Sequence, residues 1–174
     1  MSNKTNTKRL TVCAMLSALG VVLLWIGSIL EVAEISMAVI ASLLCVIAVI
    51  EYGGAAPWLV YAVTGLLGLV LLPNKGIAAM YLLFFGYYPI VKEKLERRPR
   101  VLRWVLKELI FYAAVLALAV VWKWLLFPEA VLPSPLLLVA LLVLAQVVFV
   151  LYDIALTRLI SFYVFRLRQR FRWK

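Results

Sequence analysis

Residues 10–30 read LTVCAMLSALGVVLLWIGSIL, 21 residues without a charged side chain. As a helix this run rises about 30 Å, which matches the thickness of a bilayer's hydrocarbon core. Lys4, Lys8 and Arg9 precede it. The apolar region of a cleaved signal peptide is about 7–15 residues long, so this longer run reads as a retained first transmembrane helix.

The rest of the chain repeats the pattern. Of the 174 residues 67% are hydrophobic, and the mean hydropathy is +1.08. A soluble domain is about 45–50% apolar, so a soluble globular class is excluded. With 8 Gly and 7 Pro, a collagen-like or disordered chain is excluded too. The expected fold is all-α, a polytopic membrane protein of six transmembrane helices. Glu31–Glu34 makes a tight connection to a second span, Ile35–Ile50. The breaker-rich stretch from Glu51 to Pro57 opens a third, which runs to Leu72. Pro73, Asn74, Lys75 and Gly76 are a turn signal, followed by a fourth span, Gly76–Val91. Spans two and four, at 16 residues, are about 24 Å long, so their ends extend further or are locally irregular. The fifth span covers Leu109–Phe127 and the sixth Leu136–Thr157, joined by a proline-rich stretch, Pro128–Pro135. The domain plan is a cytoplasmic N-terminal tail (1–9), a six-helix membrane domain (10–157) with a basic loop at 92–108, and a basic, aromatic tail (158–174). No long-period repeat is visible.

Charge sets the orientation. The net charge is +10, from 18 Lys+Arg and 8 Asp+Glu. Residues 1–9, 92–108 and 158–174 hold 3, 7 and 6 basic residues, 16 of the 18. Six spans put these three segments on one side, and the positive-inside bias makes that side the cytoplasm. Both termini are therefore expected inside a cell membrane. The excess charge is assigned to this bias and to membrane lipid, not to nucleic acid. In the tail, Phe162, Tyr163, Phe165, Phe171 and Trp173 interleave with arginines, the pattern of a helix lying at an anionic surface.

Catalytic chemistry finds no foothold. Histidine is absent, and no paired-carboxylate or cysteine ligand set, P-loop, G-x-S-x-G or G-x-G-x-x-G pattern occurs. No catalytic, cofactor-binding or metal-ligating residues are assigned, and no enzyme is expected. Cys13 and Cys45 lie in apolar runs and read as buried thiols. Ionisable residues at membrane depth are functional candidates. Lys123, between Trp122 and Trp124, either snorkels outward in an aromatic belt or faces an outer cavity and meets an anionic ligand group. Asp153 reads as a partner of Arg158 or of a loop arginine, and Gln146 as an interhelical hydrogen-bond former. Glu31 and Glu34 either sit in water or accept from a ligand below a short outer loop. Asn74 and Lys75 complete a turn on the same side. Glu31, Glu34, Asn74, Lys75, Trp122 and Lys123 are thus the candidate substrate-binding residues.

In the first span, Ala14-x-x-x-Ala18 places two small residues on one helix face, a geometry that lets helices approach closely. Ala113-x-x-x-Ala117 repeats it. The basic N-terminus running into LTVCAMLSALGVVL, the early Ala14-x-x-x-Ala18, six spans and both ends inside resemble the substrate-binding S components of energy-coupling factor (ECF) transporters. The resemblance covers the whole topology, with the two alanines as its specific motif. It implies that Ala14 and Ala18 dock on a transmembrane coupling subunit driven by two ATPase subunits. It also implies that a small molecule is captured on the outer side for uptake. A different class fits the apolar outer halves of the helices: a non-catalytic scaffold subunit of cell-envelope or cell-shape assembly, as in the MreD-like proteins.

Overall fold

The computed structural model describes residues 2–123 and 134–164, all of whose regular elements are helical. They are α1 (Ser2–Ile29), a 3-10 turn (Glu31–Ala33), α2 (Glu34–Glu51), α3 (Ala56–Leu71), α4 (Lys75–Met80), a π-helical segment (Tyr81–Phe85), α5 (Tyr88–Leu95), α6 (Arg100–Val121) and α7 (Pro135–Phe162). Among the described residues four stretches are long and apolar enough to cross a membrane: Thr7–Ile29, Glu34–Glu51, Arg100–Val121 and Pro135–Phe162. The third apolar helix, α3, has 16 residues, about 24 Å. Where a continuous fourth span is expected over Gly76–Val91, the helix is broken into α4, the π segment and α5. The chain forms two units, Met1–Pro128 and Glu129–Lys174.

Proline and glycine punctuate the helices for steric reasons. Gly53 and Gly54, with φ of 57° and 55°, take the left-handed conformation that closes the α2–α3 turn at little cost only for glycine. Pro57, Pro89 and Pro135 each occupy a first helical turn, where the missing N–H is not needed. Pro99 stands extended before α6.

The basic segment 92–108, expected as a loop between two spans, is largely helical. Its first residues complete α5, Glu96 to Pro99 turn the chain, and Arg100 begins α6. Two causes account for this. Lys, Arg, Glu and Leu are strong helix formers, and the charged side chains at a helix end reach water while their stems lie along it. In the second unit, α7 likewise continues past Thr157 to Phe162. The remainder of the basic tail, residues 165–174, lies outside the described residues.

In the first unit α1 packs mainly against α2 and α3. Many of the buried residues of these helices are small: Cys13, Ser17, Gly20 and Gly27 on α1, Ala38, Ala41, Ser42, Cys45 and Ala48 on α2, and Thr64, Gly65 and Gly68 on α3. Small residues let backbones approach and maximise dispersion contact where lipid and protein are equally apolar. At Gly27 the approach leaves no room for a side chain. A Cβ there would stand 2.6 Å from both Met37 Cβ and Ile77 Cδ1. Thr64 Oγ1 donates to Ser17 O at 3.4 Å across the α1–α3 seam. Cys13 and Cys45 are buried free thiols, as the sequence reading expects.

Candidate functional site

One end of the first unit is tied together by Asn74. Its backbone N–H donates to Ser28 Oγ (3.1 Å) at the end of α1, and its side-chain amide donates to the Glu34 carboxylate at the start of α2. Its Oδ1 accepts from Gly76 N (2.8 Å) and so caps α4. A single residue, through its backbone N–H and its side chain together, thus holds three chain segments. Lys75, next in sequence, turns the other way. Its Nζ donates to Leu69 O (2.6 Å) and Leu72 O (2.7 Å). These are carbonyls with no helical partner at the end of α3, where a cation also suits the helix dipole.

The candidate binding residues therefore separate. Glu34 and Asn74 meet. Lys75 caps α3 and is removed from their cluster. Lys123 is exposed, the disposition of the snorkelling alternative. The side chain of Glu31 and residues 124–133, with Trp124 among them, lie outside the described residues. Trp122, by contrast, does line a cavity. This partly open cavity, of about 210 Å³, lies between α4 and the last turns of α6 and is walled by Gly76, Ala79, Met80, Leu118, Ala119 and Trp122. Its lining is apolar but for backbone, and Met80 adds an adaptable wall. Gly76 links the two features, because its N–H is held by Asn74 and its Cα faces the Trp122 ring, 3.5 Å from where a Cβ would lie.

A second constellation lies below this cavity in the broken helix, and sequence reasoning did not assign it. In the π segment Gly86 N donates to Tyr81 O at 2.7 Å, a wider turn than the α-helical one. Tyr61 of α3 donates its hydroxyl to Leu82 O at 2.8 Å, satisfying a carbonyl in the irregular stretch. The Tyr81 hydroxyl and Cys45 Sγ are 3.2 Å apart. Tyr61 packs with Tyr81 and Tyr87, each at 6.3 Å between ring centroids. Gly86 allows this packing, since a Cβ there would stand 2.6 Å from Tyr61 Cδ2. Single-turn π segments recur at functional sites. The legible signal was the density of Phe84, Phe85, Gly86, Tyr87, Tyr88 and Pro89, but no sequence rule distinguishes a π segment from a continuing α-helix.

At the opposite end, beside the α5–α6 turn, three cations converge on one carboxylate. Glu96 accepts from Lys107 Nζ (2.8 Å) and Arg103 Nη1 (2.6 Å), with Lys92 Nζ at 3.8 Å. Lys92 and Lys107 are 1% and 2% exposed, which charged groups tolerate only when paired. Burial alone would raise the Glu96 pKa, but the hydrogen bond and charge of Lys107, with Arg103 and Lys92 behind it, outweigh burial and hold the carboxyl below its ordinary value. Near the same end Arg9 donates to Gly53 O (3.2 Å), joining α1 to the α2–α3 turn.

On α1, Ala14 and Ala18 are exposed, one position beyond the buried Cys13 and Ser17. In α7, Asp153 is buried and Gln146 half-buried. Arg158 is exposed and forms no ion pair among the described residues. Asp153, read as a partner of Arg158 or of a loop arginine, therefore does not pair with Arg158. At five residues apart on one helix the two side chains diverge by more than a quarter turn. Among the described residues no three His, Cys, Asp or Glu side chains converge as a metal site would require.

No protein-family model matches the chain, and no curated protein or solved structure matches it either.

Proposed function

We propose that this chain is the substrate-binding membrane subunit of an ECF-type transporter, a non-enzymatic protein of the cell membrane. In this reading α1, α2, α3, the broken α4–α5 stretch, α6 and α7 are six crossings with both termini cytoplasmic. Ala14 and Ala18 dock on a transmembrane coupling subunit, and two partner ATPases drive uptake. The observation that carries it is the division of α1. Its internal packing is made by Cys13, Ser17, Gly20 and Gly27, while Ala14 and Ala18 remain exposed, so a small-residue face is left over for another helix. The cavity beside Trp122, at the end that the charge bias places outside, supports the same reading as the place of capture. Lys123 and Lys75 then belong to the rim and the α3 cap, not to the ligand's first contacts.

The test is co-purification of the full chain with ECF coupling and ATPase subunits, with mass spectrometry for a retained small molecule. The expected result is a complex that Ala14→Trp abolishes while the isolated chain stays folded. A complex that survives Ala14→Trp sinks the docking face.

A scaffold role in cell-envelope assembly, MreD-like in architecture, is favoured by one specific observation: among the described residues the cavity wall offers no charged side chain to a ligand. Recovery of wall-synthesis proteins in place of transporter subunits decides for it.

A further inference from the structure

The α5–α6 turn carries more positive charge than its own carboxylates neutralise. Residues 92–108 contain seven basic and three acidic side chains. Glu93 is engaged by Arg97 at 2.8 Å. Glu96 is engaged by Lys92, Arg103 and Lys107. Lys94 on the last turn of α5, Arg98 in the turn and Arg100 at the start of α6 are exposed. They form no ion pair among the described residues. On the next two turns of α6 the exposed side chains are apolar: Val101 (77%), Leu102 (43%), Trp104 (41%) and Val105 (58%). The Lys107 ammonium lies 5.6 Å from the Trp104 ring centroid, which anchors that ring beside the charge cluster.

We propose that Lys94, Arg98 and Arg100 form a site for the phosphate of an anionic membrane lipid. Val101, Trp104 and Val105 rest against the glycerol and the upper acyl chain. Three exposed cations attract a phosphate wherever it comes from. The apolar residues that follow them directly select a phosphate attached to an acyl chain. α6, the 22 residues from Arg100 to Val121, is apolar enough to cross a membrane, so the cations stand at the end of a helix that can enter the bilayer. That position also favours a lipid over an acidic protein surface. The Lys92–Glu96–Lys107 cluster ties α5 to α6 and so stiffens the turn that carries the three exposed cations. The inference needs α6 to cross the bilayer but neither the transport nor the scaffold reading.

The experiment uses the full chain in neutral detergent, titrated with short-chain phosphatidylglycerol, with phosphatidylcholine of equal chain length, and with inorganic phosphate. Bound lipid is counted by native mass spectrometry, and thermal stability is read in parallel. Phosphatidylglycerol should bind and raise the melting temperature, phosphatidylcholine should do neither, and salt should weaken the effect. Each basic residue at an anionic surface is worth about a fivefold change in binding. The Lys94→Gln/Arg98→Gln/Arg100→Gln variant should therefore bind on the order of a hundredfold more weakly at low salt. The replaced side chains are exposed, so the variant's unliganded melting temperature should stay at the wild-type value. A Trp104→Ala variant should lose affinity for the lipid but none for inorganic phosphate. Phosphatidylglycerol binding unchanged in the triple variant overturns the site. Inorganic phosphate binding as tightly as the lipid, or an acidic protein lost from the triple variant with lipid binding intact, overturns the lipid assignment.

Discussion

On α1, Cys13, Ser17, Gly20 and Gly27 face into the first unit, while Ala14 and Ala18 lie exposed one position along the same turns. Both sets are small, and both have the spacing that lets helices meet. What separates them is the partner. In the inward set a Cβ on Gly20 would stand 2.9 Å from Thr64 Cγ2 and one on Gly27 2.6 Å from Met37 Cβ, so its steric tolerance is near zero. The outward set is left exposed. A small-xxx-small spacing therefore reports a capacity for close packing, and only the neighbours say whether the chain has used it.

The strongest way to break this contrast is Gly27→Leu. The Cβ would meet the Met37 Cβ, which no rotamer change can move away. Overpacking costs about 1–3 kcal/mol in an adaptable core and more where backbone must shift, so loss of the folded monomer on size-exclusion is expected. A folded Gly27→Leu with an unchanged melting temperature would show that the α1 seam is looser than described.

Next in size is Glu96→Gln, which removes the carboxylate from Lys92, Arg103 and Lys107. Breaking a fully buried pair costs about 3–5 kcal/mol. The Glu96 side chain is 35% exposed, so a loss nearer about 2 kcal/mol at neutral pH is expected from thermal unfolding. The pH dependence has a definite sign. The folded-state carboxyl is held below its ordinary value of 4.5. Its stabilisation is thus complete above that value and is lost as pH falls through the depressed one. Wild type should lose melting temperature below about pH 4.5 by this route while Glu96→Gln does not. Parallel pH profiles for the two proteins would contradict the ion cluster.

Asn74→Ala should cost about 1–2 kcal/mol, because the α4 cap and the bond to Glu34 go together while the backbone bond to Ser28 remains. Denaturant unfolding measures it, and an unchanged midpoint would show that the three segments are held by other contacts. The smallest effect sharpens the comparison most. Ala14→Trp in the isolated chain should shift stability by less than about 0.5 kcal/mol. A large destabilisation would place Ala14 in internal packing and remove the docking face.

Much of the architecture was legible in the residues alone. Runs such as 10–30 and 136–157 exceed what a soluble helix requires, and hydrophobicity over 18 or more residues is a local property that needs no partner. Pro57 marked a helix start for the same reason, since a fixed φ and a missing N–H act within one turn, whereas Pro89 and Pro99, read as lying inside a span and a loop, prove to stand at the starts of α5 and α6. The thiols Cys13 and Cys45 were read as buried from their apolar surroundings. Tertiary structure alone decided the rest. The hydrogen bond from Tyr61 to Leu82 O and the close approach at Gly86 accompany the break of the fourth apolar run into a π segment, and both involve a helix twenty residues away. Segment 92–108 became a helical hairpin because Glu96 collects cations up to eleven positions apart. Glu34 and Asn74 came together, and Lys75 turned away, because the ends of three helices share one small volume. Local chemistry named the residues that carry charge, size and flexibility. Which of them touch depends on distances between helices, and those are set only when the whole bundle packs.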